Sequence, residues 1–276
     1  MSVVISGSLV LSDQLSGGGV INANNPLIGW HNLVTASAIT ATSAAAGFPA
    51  SNLGNPATHL RWRANASTPD QYVRIDVAST DMLDYLAIAR HNFASAQIAV
   101  SVERLVSAAP DVWAELVAPV LLLNDGPALF RFTPRVLTAV RIRMQPGLAA
   151  PTMAVVYFGK LLVLQRRIYA GHTPMPYGRS AKITNARSES GNFLGRIVLN
   201  ETTRTTVSLK NLTAAWYRAQ MQPFIRASVE TPFFFAWRPA DYPNEVGYAW
   251  TTNDPVPQNQ GVRDFMQVEL ELAGII

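Results

Sequence analysis

The chain has 276 residues, 49% of them hydrophobic and only 14% charged, and its 22 basic and 18 acidic side chains leave a net charge of +4. That length supports one large domain or two medium ones with a sizeable core, and the apolar content excludes intrinsic disorder. The scattered arginines lack the concentrated footprint of a nucleic-acid binder. The absence of cysteine excludes disulfides, zinc–thiolate sites and thiol nucleophiles.

A charged fraction well below the ordinary value of about 25% implies a surface built from Ser, Thr, Asn, Gln and Gly. Such a surface fits a subunit hidden in an assembly, and equally an all-β domain with uncharged polar faces. The amino terminus, MSVVISGSLVLSDQLSGGG, lacks the basic and long apolar regions of a signal peptide. No stretch approaches the roughly 18 uninterrupted apolar residues of a membrane span. Synthesis in the cytoplasm without a membrane anchor is therefore expected.

The first half opens on an apolar strand candidate, followed by Gly17–Gly19 and a polar stretch to Asn25. Small residues dominate Thr35–Gly47, which reads as a short helix or an extended arm. Strands follow. Val73, Ile75 and Val77 alternate with Arg74 and Asp76; Tyr85–Ala89 is a short apolar run; Ile98, Val100 and Val102 alternate, as do Val140, Ile142 and Met144 against Arg141 and Arg143. Short alternating strands separated by Asn, Asp, Gly and Pro predict a sandwich or jelly roll.

The halves divide near Lys160–Ala170. Met153–Phe158 and Leu161–Leu164 flank a tight link at Gly159-Lys160, and Arg204–Leu209 predicts a strand. Leu212, Trp216, Ala219 and Met221 can share one face of a helix over 212–225, with Thr213 available as a cap and Pro223 marking or kinking its end. Met266, Val268, Leu270 and Leu272 alternate with Gln267, Glu269 and Glu271 in a half-buried terminal strand. The predicted class is mainly β, with two β-sandwich-type domains. The first, 1–165, carries an N-terminal arm and is of jelly-roll type; the second, 166–276, is β-rich with one principal helix.

Chemistry-bearing motifs are sparse. His31, His59, His91 and His172 form no HxH or HExxH pair, and no nucleophile elbow, phosphate loop or dinucleotide fingerprint is present. No catalytic, metal or cofactor-binding residue is assigned, and no cofactor is expected. Asp70, Asp76, Asp81, Asp84, Glu103, Asp111 and Glu115 are carboxylates without a paired pattern.

Two segments suggest binding. In Leu60-Arg-Trp-Arg-Ala, Trp62 lies between Arg61 and Arg63; guanidinium and indole together can stack on sugars and donate in forks. Alternatively, Trp62 plugs the sandwich edge while the arginines snorkel outward. Thr231–Trp250 concentrates aromatics and prolines, and is covered by the protein's own core, a ligand or another subunit. Strand alternation sends Phe233, Phe235 and Trp237 to one side and Phe234 to the other, with Trp216 a natural internal partner. Phe234, Tyr242, Tyr248 and Trp250 are the candidates for subunit contact.

Phe48-Pro-Ala-Ser-Asn-Leu-Gly-Asn-Pro-Ala-Thr, Leu60-Arg-Trp-Arg-Ala, Gln71-Tyr-Val-Arg-Ile-Asp-Val, Leu86-Ala-Ile-Ala-Arg-His-Asn and Ala139-Val-Arg-Ile-Arg-Met resemble discoidin-like, galactose-binding-like β-sandwiches. That resemblance spans roughly residues 45–160. It implies the fold, with binding in variable loops and Arg61, Trp62, Arg63 and His91 as candidate carbohydrate contacts.

Met175-Pro-Tyr-Gly-Arg-Ser, Pro232-Phe-Phe-Phe-Ala-Trp-Arg-Pro and Tyr242-Pro-Asn-Glu-Val-Gly-Tyr-Ala-Trp resemble minor tail and tail-tip proteins of long-tailed bacteriophages and gene transfer agents. This second resemblance implies a homo-oligomeric ring or collar in a virion tail tip or baseplate, with tail tube, hub and fibres as partners. The rival expectation is a carbohydrate-binding module for host-surface adhesion.

Overall fold

The computed structural model describes residues 3–11, 23–168 and 171–276. The Gly17–Gly19 run lies outside the described residues. The fold is mainly β, with several sheets and one principal helix.

The first sandwich pairs two sheets. One has five antiparallel strands in the order Ile39–Ala41, Gln71–Asp76, Ala139–Met144, Ala99–Ala108 and Asp111–Leu121. The other has four, in the order Val3–Ile5, Ala128–Arg135, Leu83–Ala89 and Val155–Gly159. Only the Val3–Ile5 strand runs parallel to its neighbour. Alternation decides what lies between them. Val73, Ile75, Val140 and Ile142 from one sheet share a core with Leu86, Ile88, Phe130, Phe132, Val156 and Phe158 from the other.

The outward face of the five-stranded sheet holds the polar half of the same alternation. Arg74 bridges Asp76 and Asp111, Arg141 holds Glu103 at 2.5 Å, and Arg143 holds Asp70 at 2.7 Å. The arginines also lie over aromatic rings, Arg141 at 4.3 Å from Tyr72 and 4.5 Å from Trp113. Five of the seven carboxylates singled out in the sequence have an account elsewhere than in catalysis: four are spent on these arginines, and Asp84 accepts from the Leu161 N–H at 2.7 Å.

The four-stranded sheet is buried on both faces. Every residue of Leu83–Ala89 and of Val155–Gly159 is buried, which is why these strands read as apolar runs rather than as alternations. Their second face carries Tyr85, Ala87, Leu129, Val155 and Tyr157 against Leu27, Phe234, Ala236, Val246 and Tyr248 of a larger sheet. That sheet is ordered Leu162–Val163, Leu27–Gly29, Phe233–Ala236, Val246–Thr251, Phe265–Ile275, Phe193–Thr213 and Arg179–Arg187, with Gln258–Asn259 beside Phe265–Ile275. Leu27–Gly29 and Leu162–Val163 fall within residues 1–165 yet pair in this second sheet.

The helix covers the far side. It runs from Ala214 through Ser228 and includes a π segment at Tyr217–Met221. A helix over 212–225 was expected, with Pro223 near its end. Instead, Pro223 sits inside the helix, and the wider turn just before it relieves the clash that its ring and missing N–H would create in regular α geometry. The π segment also rotates the face: Tyr217, Met221, Phe224 and Ile225 are buried, while Trp216 is half-buried and Ala219 is exposed. Leu212 and Thr213 close the preceding strand. Thr213 occupies the cap position, but its hydroxyl accepts from Gln165 Nε2 at 3.1 Å and bonds no helix N–H.

The aromatic stretch is thus divided by strand phase. Phe233 and Phe235 point to the helix, with Phe224 edge-on to Phe233 at 4.9 Å. Phe234 points the other way and meets Tyr157 at 5.4 Å and Tyr248 at 4.9 Å. Phe234 and Tyr248 were expected at a subunit contact. Both are sealed inside the chain, because the four-stranded sheet presents Tyr157 and Tyr85 to that face. Hydrogen bonds tie the seam: Tyr157 Oη donates to the Pro232 carbonyl at 2.9 Å, Tyr248 Oη to that of Pro56 at 2.8 Å, and Tyr85 Oη to that of His31 at 2.7 Å. Tyr242 is 44% exposed, stacked on Trp237 at 5.3 Å, and Trp250 is half-buried.

Beyond the big sheet, Arg179–Arg187 and residues 193–202 continue as a two-stranded ribbon, with Phe193, Leu194 and Ile197 exposed.

Truncating a fully buried aromatic typically costs about 3–5 kcal/mol. Phe234→Ala is expected to lower stability by about that amount in chemical denaturation. A change below about 1 kcal/mol would mean that the seam is not what covers this ring.

Candidate functional site

One end of the first sandwich gathers two of the four candidate sugar contacts into an open cleft of about 410 Å³, lined by Arg61, Arg90, His91, Asn92, Asp125, Gly126 and Thr152, with Ile276 at its rim. The elements that place them come from distant parts of the chain. Trp62–Arg63 pairs with Thr152–Met153, bringing the Arg61 loop beside Thr152. Arg90 and His91 leave the end of the Leu83–Ala89 strand, and Asp125 sits in the turn before Ala128–Arg135.

The floor is braced by hydrogen bonds. The Asn92 amide takes the Thr152 N–H on Oδ1 at 2.9 Å and donates to the Ala150 carbonyl at 3.0 Å. Asp125 Oδ1 accepts from the N–H groups of Ala94 and Ser95 at 2.8 and 3.1 Å. Together these fix the loop at 92–95 between two neighbouring turns, so the side chains above it are held on a rigid support.

His91 is buried, its ring stacked on Phe93 at 4.8 Å. Its Nδ1 accepts from the Phe93 N–H at 3.3 Å, which assigns the proton of the neutral ring to Nε2. Nε2 is buried, with the Gly126 backbone as its hydrogen-bonding neighbour. Burial pushes the imidazole down to about 4, although the nearby Asp125 carboxylate opposes the shift. His91 is therefore neutral near pH 7 and adds no positive charge.

The guanidiniums differ from those of the sheet face. Arg61 and Arg90 are exposed, and neither makes an ion pair among the described residues. Arg90 is held at φ 56°, a left-handed backbone that non-glycine residues seldom adopt. No aromatic ring forms a platform in the cleft other than the buried His91.

Trp62 is not a contact. It is 0% exposed, shares the sandwich core with Leu53 and Met153, and donates from Nε1 to the Ser43 carbonyl at 2.9 Å. The alternation that turns Arg61 and Arg63 outward turns the indole inward, so the plugged-edge alternative holds for Trp62 and its candidacy as a carbohydrate contact is corrected. Arg63 points elsewhere, its guanidinium 4.7 Å from the centre of the Phe48 ring. The site residues that sequence reasoning missed are Arg90, Asn92, Asp125 and Thr152. The only local signals were the polar run Arg90-His-Asn at a strand end and the turn Asn124-Asp-Gly.

A larger hollow, about 540 Å³, flanks the big sheet along Thr173, Arg204, Thr205, Thr206, Thr252 and Glu271. It is a threonine-lined sheet flank, and the Thr205 hydroxyl already donates to the Thr173 carbonyl. Among the described residues, no group of three or more His, Asp or Glu could hold a metal ion. Nor is any helix long and apolar enough to cross a membrane.

No family model matches the chain, and no curated protein does. Solved structures do. A chitosan-binding module from a Paenibacillus sp. IK-5 chitosanase/glucanase is 20% identical, covering 46% of this chain and 98% of the module, with a TM-score of 0.41. A family 32 carbohydrate-binding module from Clostridium perfringens, solved with galactose, is 16% identical over 46% of this chain and 97% of its own, with a TM-score of 0.38. A putative α-L-fucosidase from Bacteroides thetaiotaomicron is 18% identical over 44% of this chain and 27% of its own, also at 0.38.

These matches correct the expected kinship with bacteriophage and gene-transfer-agent tail-tip proteins. The similar structures are carbohydrate-binding modules and glycosidase chains, so the ring or collar role and the tail tube, hub and fibre partners are not retained. TM-scores below 0.5 transfer no ligand preference to this chain.

The buried His91 has a pH signature. Because its folded value lies below the unfolded 6.5, the unfolded chain takes up the proton first, and stability falls as pH drops from 6.5 toward 4. Asp84, raised by burial from 3.8 to about 6, acts oppositely over an overlapping window, favouring the folded chain as pH falls. The wild-type profile is therefore shallow. Comparison with His91→Gln isolates the histidine: between pH 7 and 4 the stability difference should move by roughly 3 kcal/mol in the variant's favour. A difference that stays constant across that range would contradict a buried neutral imidazole.

Proposed function

We propose that this protein is a carbohydrate-binding protein without a catalytic step of its own, and that the cleft at the end of the first sandwich is its sugar site. The observation that carries this reading is the convergence of two unpaired guanidiniums, Arg61 and Arg90, over a floor braced by Asn92 and Asp125. Saccharide hydroxyls are recognised by planar fork donors held in fixed positions. The cleft is open and shallow, which suits an extended chain end or branch rather than an enclosed small molecule.

The likeness of residues 45–160 to galactose-binding-like sandwiches, seen in the sequence, agrees with this placement. That resemblance implies binding in variable loops. The modules found similar in structure were solved with, or named for, chitosan and galactose; those ligands belong to those proteins.

A glycan microarray probed with the full chain is expected to show saccharide binding. Arg61→Ala should weaken it roughly ten- to hundred-fold, the loss of one charge-assisted donor set. The melting temperature should not change, because the side chain is exposed. Binding that survives both Arg61→Ala and Arg90→Ala would remove this cleft as the site.

A further inference from the structure

We infer that the cleft selects a saccharide carrying a carboxylate, a uronic acid unit, over neutral and amino sugars. This rests on the sugar-binding reading above and adds the ligand's charge. Elsewhere on the first sandwich, Arg74, Arg141 and Arg143 are each matched to an acidic side chain within 3.0 Å. Arg61 and Arg90 make no ion pair among the described residues, and both are exposed and line the same cleft.

The charges already in the cleft do not satisfy them. Its only acidic side chain is Asp125, one oxygen of which is occupied by the Ala94 and Ser95 N–H groups. His91 is neutral, and its Nε2 is buried beside the Gly126 backbone. Two exposed guanidiniums thus line the cleft without an ion pair to Asp125 or to the Ile276 carboxylate beside it. A planar carboxylate accepts two parallel bonds from a guanidinium, a geometry that a neutral hydroxyl pair only approximates and an ammonium opposes. The left-handed backbone at Arg90 is a local cost kept by the surrounding structure.

With no aromatic platform lining the cleft, stacking supplies little of the recognition. Affinity should therefore fall steeply with ionic strength, as it does for exposed charge pairs.

The test is calorimetric titration of the full chain with oligogalacturonate, neutral galacto-oligosaccharide and chitosan oligomer of matched length, at low and moderate salt. Oligogalacturonate is expected to bind at least about ten-fold more tightly than the other two, the equivalent of one unmatched charge contact. Its advantage should shrink with salt, vanish in Arg61→Ala and Arg90→Ala, and return only in part in Arg90→Lys, which keeps the charge but not the fork. Equal or tighter binding of the neutral or amino sugar, insensitive to salt, would overturn the acidic preference while leaving a sugar site. Failure of every saccharide in both this titration and the glycan array would overturn the sugar-binding reading itself, and this inference with it.

Discussion

The structure depends on one sheet being buried from both sides. The four strands that include Leu83–Ala89 and Val155–Gly159 give one face to the first sandwich and the other to the large sheet. The second contact is an aromatic seam of Tyr85, Tyr157, Phe234 and Tyr248, with each tyrosine hydroxyl satisfied by a backbone carbonyl. Burying those hydroxyls unpaired would cost about 1–3 kcal/mol each, a large share of what the rings gain from packing. The seam therefore fixes both separation and register. Gly29 records how close the approach is: a side chain there would sit 2.7 Å from the Tyr85 ring.

The cleft inherits its rigidity from that arrangement. Arg90 and His91 sit at the end of Leu83–Ala89, a strand buried along its whole length, and Asp125 lies in the turn leading into its neighbour, Ala128–Arg135. A loop mounted on an exposed edge strand could shift its guanidinium by ångströms. The backbone of one mounted on a doubly buried strand cannot shift without disturbing the core. The polar side chains of the floor serve the same end: Asn92 and Asp125 spend their hydrogen bonds on backbone, leaving the arginines to face solvent.

The sequence made much of the sandwich legible. Gln71–Asp76 and Ala139–Met144 alternate because one face of each lies on the core and the other carries ion pairs. The unbroken run Leu83–Ala89 signals burial on both faces, but not what lies against the second, since Phe234 and Tyr248 are some 150 residues away. Phase explains two of the misplacements. Trp62 and Phe234 were the most conspicuous aromatics, and each lies on the inward step of its own strand. The helix face was misread because the turn before Pro223 widens to a π segment, shifting the 3.6-residue pattern by a position. The cleft was half legible: Arg61 and His91 lie in conspicuous motifs, whereas Arg90 and Asp125 become neighbours only through the pairing of non-adjacent segments.

The central claim is that saccharide is held where Arg61, Arg90 and His91 converge. The most direct measurement is a titration of the isotope-labelled chain with oligosaccharide, followed by backbone amide chemical shifts. The expected result is a contiguous set of saturable changes at Arg61, Arg90–Asn92, Asp125–Gly126 and Thr152, with the outer sheet face around Tyr72 and Trp113 unmoved. Saturable changes confined to that sheet face, or to the threonine-lined flank of the large sheet, would contradict the claim.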